Sequence, residues 1–108
     1  MENVNEKFAH IRKGLLEFAV LKIIAAREVY AADILQKLGQ TEFASQEGTL
    51  YPLLSKMRRE GWVEYDWKES EAGPPRKYYR LTDLGRTHLN DTGAYWNHLN
   101  EVITKLGT

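Results

Sequence analysis

Cysteine is absent from this chain of 108 residues, which removes disulfides and thiolate metal sites. Histidine is scarce, with His10, His88 and His98 its three copies. His88 and His98 lie about 15 Å apart in helical rise, too far to share a metal, so no metal site is expected. No glycine-rich phosphate loop and no nucleophile elbow occurs. An enzyme is therefore not expected, and neither is a cofactor. Long apolar runs are missing too, none approaching the roughly 18 residues a membrane span needs. Glu2, Lys7, Arg12 and Lys13 interrupt any signal-peptide core. The expectation is a cytoplasmic protein with no membrane partner. Net charge is the last absence: 15 basic and 15 acidic side chains cancel. The basic balance usual in a nucleic-acid binder is lacking, although residues 1–27 carry five basic against three acidic side chains and residues 76–80 carry three basic and none acidic.

What is present fits one soluble domain, with 43% hydrophobic and 28% charged residues. Phe8, Ile11, Leu15, Leu16, Ala19, Val20, Ile23 and Ile24 recur at three- and four-residue spacing, which predicts an amphipathic helix over 8–26. Its apolar face is wider than one neighbouring helix covers. A short helix follows over 30–38, with Ile34, Leu35 and Leu38 inward and Gly39 as a left-handed stop. Ser45 stands where an N-cap belongs, ahead of a third helix running to about residue 60 that buries Leu50, Leu53, Leu54 and Met57 and ends at Gly61. Pro52 inside it predicts a kink rather than a break, because the residue it crowds is Gly48.

A strand over 62–68 comes next, with Val63, Tyr65 and Trp67 on one face. Residues 70–75 turn the chain, and Pro74 and Pro75 are expected to stop the ladder there. Residues 76–81 return antiparallel, and Thr82 caps a last helix over 83–106. In that helix Leu89, Thr92, Trp96, Leu99, Ile103 and Leu106 step by three and four, the spacing of a coiled-coil seam. Gly93 marks a bend or a close approach. The order of elements predicts a mainly α fold with a small β-hairpin: a winged helix-turn-helix over 1–82 and a long C-terminal dimerisation helix over 83–108, packed as one compact unit.

Such an arrangement reads DNA with the start of its third helix. Ser45, Gln46 and Thr49 stand there. Gln46 suits a base edge and Thr49 a thymine methyl or a phosphate, although each also fits a cap or a solvated turn. Tyr51 suits a phosphate contact or a half-buried place beside the core. Lys56 suits the DNA backbone. In the stiff hairpin, Arg76, Lys77 and Tyr78 suit phosphate grip rather than base reading. A winged-helix module that binds protein and never touches DNA is the other reading.

The runs Glu47-Gly48-Thr49-Leu50-Tyr51-Pro52-Leu53-Leu54, Arg59-Glu60-Gly61-Trp62-Val63 and Gly73-Pro74-Pro75-Arg76-Lys77-Tyr78-Tyr79-Arg80-Leu81-Thr82, with Gly85, resemble the PadR family of transcriptional regulators. The resemblance covers residues 14–106, and the single C-terminal helix is similar to the small subfamily that includes multidrug-responsive repressors. It implies a homodimeric repressor on palindromic double-stranded operator DNA, with Leu89, Trp96, Leu99, Ile103 and Leu106 in the dimer interface. It also implies a planar aromatic small-molecule inducer held at Trp96, with Tyr95, Leu99 and Leu15 around it, plain dimer packing being the alternative role for Trp96. One departure stands out: Ala31-Ala32 occupies the place where the family often has Gly-Tyr.

Overall fold

The computed structural model describes residues 4–71 and 73–108. Residues 1–3 of the expected DNA-binding unit, and Ala72 of the expected turn, lie outside the described residues. Among the described residues, five helices and three strands follow one another: α1 (Val4–Lys7), α2 (Ala9–Ala26), β1 (Val29–Tyr30), α3 (Ala31–Gly39), α4 (Glu47–Arg59), β2 (Val63–Ser70), β3 (Gly73–Leu81) and α5 (Asp83–Leu106). The chain is mainly helical with one small antiparallel sheet in the order β1-β3-β2, a winged helix-turn-helix followed by a long helix.

The core forms where the four longer helices meet the base of the sheet. Val20, Leu21 and Ile24 of α2 pack with Ile34 and Leu38 of α3, Leu50, Leu54 and Met57 of α4, and Val29, Val63 and Tyr79 of the strands. Burial of this set supplies most of the favourable free energy, at about 25 cal/mol for each Å² of apolar surface removed from water. Burial lifts the Tyr79 phenol pKa above its ordinary value. The helical stripes read from the sequence are the faces that pack here. Only the C-terminal half of α2 is fully covered, and Phe8 and Ile11 stay exposed.

Several local expectations are corrected. Gly39 closes α3 as an ordinary helical residue rather than a left-handed stop, because the backbone leaves the helix through Gln40 at φ −86°. The N-cap of α4 is Gln46, not Ser45; the Ser45 hydroxyl instead donates to the Phe43 carbonyl at 2.8 Å. Helix α4 runs unbroken through Pro52. Strand β1 was not expected: Val29 and Tyr30 pair with Tyr79 and Tyr78, and two residues are too few to show a period. Pro74 and Pro75 do not end the ladder. Lys68 faces Arg76 and Ser70 faces Gly73, so the reversal comes ahead of the prolines and Glu69 alone opposes both of them. Two residues against one make a bulge, the place in a ladder that tolerates missing N–H donors.

The end of α4 and the start of α5 are joined by one tight contact. Gly61 takes φ +80°, its N–H donates to Arg58 O at 3.0 Å, and the Trp62 N–H donates to Met57 O at 2.9 Å, the paired bonds of a Schellman stop. Thr82 then grips that turn from the other side. Its N–H donates to Trp62 O at 3.0 Å and its hydroxyl to Gly61 O at 2.5 Å, while the same Oγ1 accepts from the Gly85 N–H at 2.9 Å and caps α5. Gly85 lies so close that a Cβ there would stand 1.9 Å from Trp62 O and 3.0 Å from Leu81 Cδ1.

Because the obstacle at Gly85 is backbone, Gly85→Ala is expected to cost about 3 kcal/mol or more and to lower Tm by roughly 10–20 °C. Thr82→Ala is expected to cost about 1–2 kcal/mol through the lost cap. Thermal melts followed by far-UV circular dichroism measure both, and an unchanged Tm for Gly85→Ala counts against this account of the joint.

Candidate nucleic-acid interface

The side chains expected to touch DNA sit on three sides of the helix-turn-helix. Helix α4 buries Leu50, Leu54 and Met57, so its remaining residues fan out to either flank. Thr49 and Lys56 turn toward α2. Thr49 joins Gln46, Ser45, Arg12 and Lys13 around a shallow hollow of about 400 Å³. Lys56 is held by the Glu17 carboxylate at 2.9 Å and stands 5.9 Å from the Trp62 ring centre. The hydrogen bond and charge of Glu17 raise the Lys56 pKa, keeping its ammonium charged yet directed at α2. Gln46 is exposed at the N-cap, its side chain uninvolved in capping.

Tyr51 turns to the opposite flank, toward the sheet. There it borders a groove of about 450 Å³ with Tyr30, Ala31, Ala32, Trp67, Arg76, Lys77 and Tyr79. The groove exists because β1 ends after two residues. Beyond Tyr78 the edge of β3 is left open, and the start of α3 with its small Ala31 and Ala32 side chains borders the gap. The departure from Gly-Tyr therefore falls on the groove itself.

Strand alternation divides the hairpin's cations between two faces. On the face toward α4, the Lys77 ammonium stands 4.6 Å from the Tyr65 ring centre and 5.4 Å from that of Trp67. Arg58 joins them from α4, 4.7 Å from the Tyr65 ring. On the other face, Tyr78 packs against Tyr30 at 5.4 Å between ring centres, with the Lys68 ammonium 5.2 Å from the Tyr78 ring. Arg76 reaches back over the Tyr30 ring at 4.6 Å.

Acidic neighbours occupy the second face as well. Arg80 binds Asp66, donates its Nε–H to Glu64 Oε1 at 3.0 Å, and lies 3.7 Å from Glu28. The Asp66 hydrogen bond, with the neighbouring carboxylates, raises the Arg80 pKa further. Glu28 also holds Lys68 at 2.5 Å. Of the three basic residues at 76–80, Arg80 is therefore neutralised, while Arg76 and Lys77 have no carboxylate partner among the described residues. Surface pairs of this kind add little stability. They do decide which charges remain to attract an anion.

The seam of α5 is also divided. Leu89 is 5% exposed and belongs to the core of its own chain. Further along, Trp96, Ile103 and Leu106 are 38%, 67% and 79% exposed, and every side chain from residue 100 onward is exposed. Leu15, Tyr95, Trp96 and Leu99 do come together: with His10, Ile11, Gly14 and Thr92 they line an open, mostly apolar groove of about 380 Å³ between α2 and α5. Gly93 does not mark a close backbone approach: a Cβ there would make only ordinary contact, 3.6 Å from the Phe18 ring. A stacked pair, Trp62 and His88 with ring centres 3.7 Å apart, ties α5 to the turn after α4. The His88 Nε2 lies 3.5 Å from the Glu17 carboxylate that holds Lys56. No group of side chains suited to a metal ion occurs among the described residues, and no helix there is long and apolar enough to cross a membrane.

Sequence reasoning missed Tyr30, Trp67 and Arg58 as parts of this surface. Alternation placed Trp67 on one face of its strand with Val63 and Tyr65, and it does not say which residues of that face are covered.

The sequence profile of the PadR-like transcriptional regulator family matches residues 20–91. A PadR-like transcription factor from Bacteroides fragilis is 40% identical, with a TM-score of 0.80 over 94% of this chain and 98% of that one. A PadR-like transcriptional regulator from Bacillus cereus is 37% identical, with a TM-score of 0.79 over 90% and 95%. A transcriptional regulator of Mycobacterium tuberculosis is 28% identical over 80 residues, 74% of each chain. These relatives are regulators of transcription and not enzymes.

Proposed function

The chain belongs to the PadR-like family of transcriptional regulators, and from that membership we propose a homodimeric repressor that holds double-stranded operator DNA and releases it on binding a planar aromatic ligand. Residues 1–82 serve as the DNA-binding unit and residues 83–108 as the dimerisation helix of one compact, cytoplasmic protein. The observation that carries the DNA reading is the groove beside α4, where Tyr51 meets Arg76 and Lys77, two cations without a carboxylate partner among the described residues. Phosphate oxygens supply the missing negative charge. Gln46 and Thr49 lie at the leading end of α4 and present base-reading groups to the major groove. Ser45 and Lys56, engaged with Phe43 and Glu17, have to exchange those partners to reach DNA.

The free half of α5 supports the dimer. A helix end with Ile103 and Leu106 in water is not stabilised by its own chain, and isolated helical turns are marginal. A second copy laying its own α5 and α2 there covers Trp96, Leu99, Ile103 and Leu106, while Leu89 contributes from within the core. The groove around Trp96, Tyr95, Leu99 and Leu15 then lies at the dimer seam, an apolar slot that suits a flat aromatic molecule. The compensated charges of Arg80, Lys68 and Lys56 favour a second reading, a protein-interaction module without DNA binding.

Gel shifts on the chain's own promoter region separate these readings. Arg76→Ala with Lys77→Ala is expected to weaken binding and flatten the slope of log affinity against log salt by about two for each protomer engaged. No retardation of DNA by folded wild-type protein at low salt favours the interaction module. Ile103→Asp is expected to convert dimer to monomer in sedimentation equilibrium, and a monomeric wild type removes the dimer. Planar aromatic compounds are expected to quench Trp96 fluorescence, and Trp96→Ala with undiminished ligand affinity excludes that residue from the site.

A further inference from the structure

Trp67 is the largest apolar side chain left in water on the hairpin, at 62% exposed. Its position is nevertheless held. It pairs across the ladder with Lys77, whose ammonium stands 5.4 Å from its ring centre, and Tyr65 meets it edge-on at 6.1 Å. The remaining indole surface opens onto the groove that also holds Tyr30, Tyr51 and Arg76. No carboxylate lines that groove, and its two cations select a polyanion. Two phosphate contacts for each protomer release few counterions, so charge alone gives weak binding. Apolar burial has to supply what the cations do not.

We infer that Trp67 is a DNA-contacting residue, packing its indole on the deoxyribose of the strand whose phosphates Arg76 and Lys77 hold. The inference rests on the DNA-binding reading and adds a contact that carries no charge. The hairpin of a winged helix follows the backbone and minor groove, where the apolar surface available is the C–H face of the sugar. Lys77 lies over the indole and Arg76 borders the same groove, so phosphate grip and sugar packing fall on neighbouring atoms of one strand. Because Trp67 is exposed in the free chain, it contributes its remaining apolar surface on binding rather than on folding.

The test titrates the full chain with a mixed-sequence duplex of about 30 base pairs, long enough for two half-sites one turn apart. Wild type, Trp67→Ala, Trp67→Phe and Arg76→Ala are compared across salt concentrations. Trp67→Ala is expected to weaken binding about tenfold at every salt concentration with its slope unchanged. Trp67→Phe is expected to recover most of that loss, whereas Arg76→Ala flattens the slope. Acrylamide quenching of Trp67, taken as the difference between wild type and Trp67→Phe, is expected to fall when duplex is bound. Wild-type affinity in Trp67→Ala overturns the inference. So does a loss with a flattened slope and an indole still open to acrylamide, which makes Trp67 a support for Lys77 only. A wild-type chain that retains no duplex, or that shields Trp67 only in a protein complex, removes the DNA reading itself and this contact with it.

Discussion

The contact of Gly85 with the carbonyl of Trp62 fixes how the two halves of this protein meet. A helix of 24 residues departs from the sheet with no loop to absorb error, since β3 ends at Leu81 and α5 begins at Asp83. Thr82 is the residue between them. Its hydroxyl serves two masters, donating to Gly61 O and accepting from the Gly85 N–H, so capping α5 and closing the turn after α4 are one event. Glycine at 85 is required because the two backbones leave no room for a Cβ, and glycine at 61 because the stop needs a left-handed residue. The end of α4, the base of the hairpin and the start of α5 thereby form a single rigid corner.

Charge is distributed around that corner with the same economy. The chain is neutral, and the compensation is local rather than diffuse: Arg80 faces Glu28, Glu64 and Asp66, Lys68 shares Glu28, and Lys56 is taken by Glu17. Beside the groove, Arg76 and Lys77 remain without a carboxylate partner among the described residues, each lying over aromatic rings. Ring faces hold a cation in place without neutralising it. A neutral chain can thus present a small, oriented cationic site, and total charge is a poor guide to it.

The sequence announced most of the helices because each buries a stripe that repeats with the helical period, and Thr82 and Gly61 announced the two boundaries whose chemistry is backbone-specific. It failed where a local signal was outvoted. Gly39 looked like a stop, but Gln40 leaves the helix without needing a left-handed residue. Ser45 looked like a cap, but its hydroxyl had a nearer acceptor in Phe43. The prolines looked like the end of a strand, but a bulge accommodates both. The candidate site was half legible. Residue types named Tyr51, Arg76 and Lys77, while only the fold reveals that Tyr30 and Trp67 join them, that Tyr78 faces the other way, and that Arg80 is already neutralised. Such facts depend on which residues meet across the sheet, and no window of sequence contains them.

The corner also determines what α5 is able to transmit. His88 stacks on Trp62, and Glu17 touches both His88 and Lys56, so α5, α2 and α4 share one cluster within a turn of the Gly85 contact. The groove lined by Trp96 and Leu15 begins about two turns further along the same helix. In a dimer built on α5, the distance between two α4 helices is set by the seam at one end and by this corner at the other. DNA offers successive major-groove sites about 34–36 Å apart. If the proposed ligand shifts the proposed seam by a few ångströms, α4 would move bodily, because the corner has no slack in which to lose the motion. Under that proposal it is rigidity at Gly85, rather than flexibility, that would couple the far end of α5 to α4.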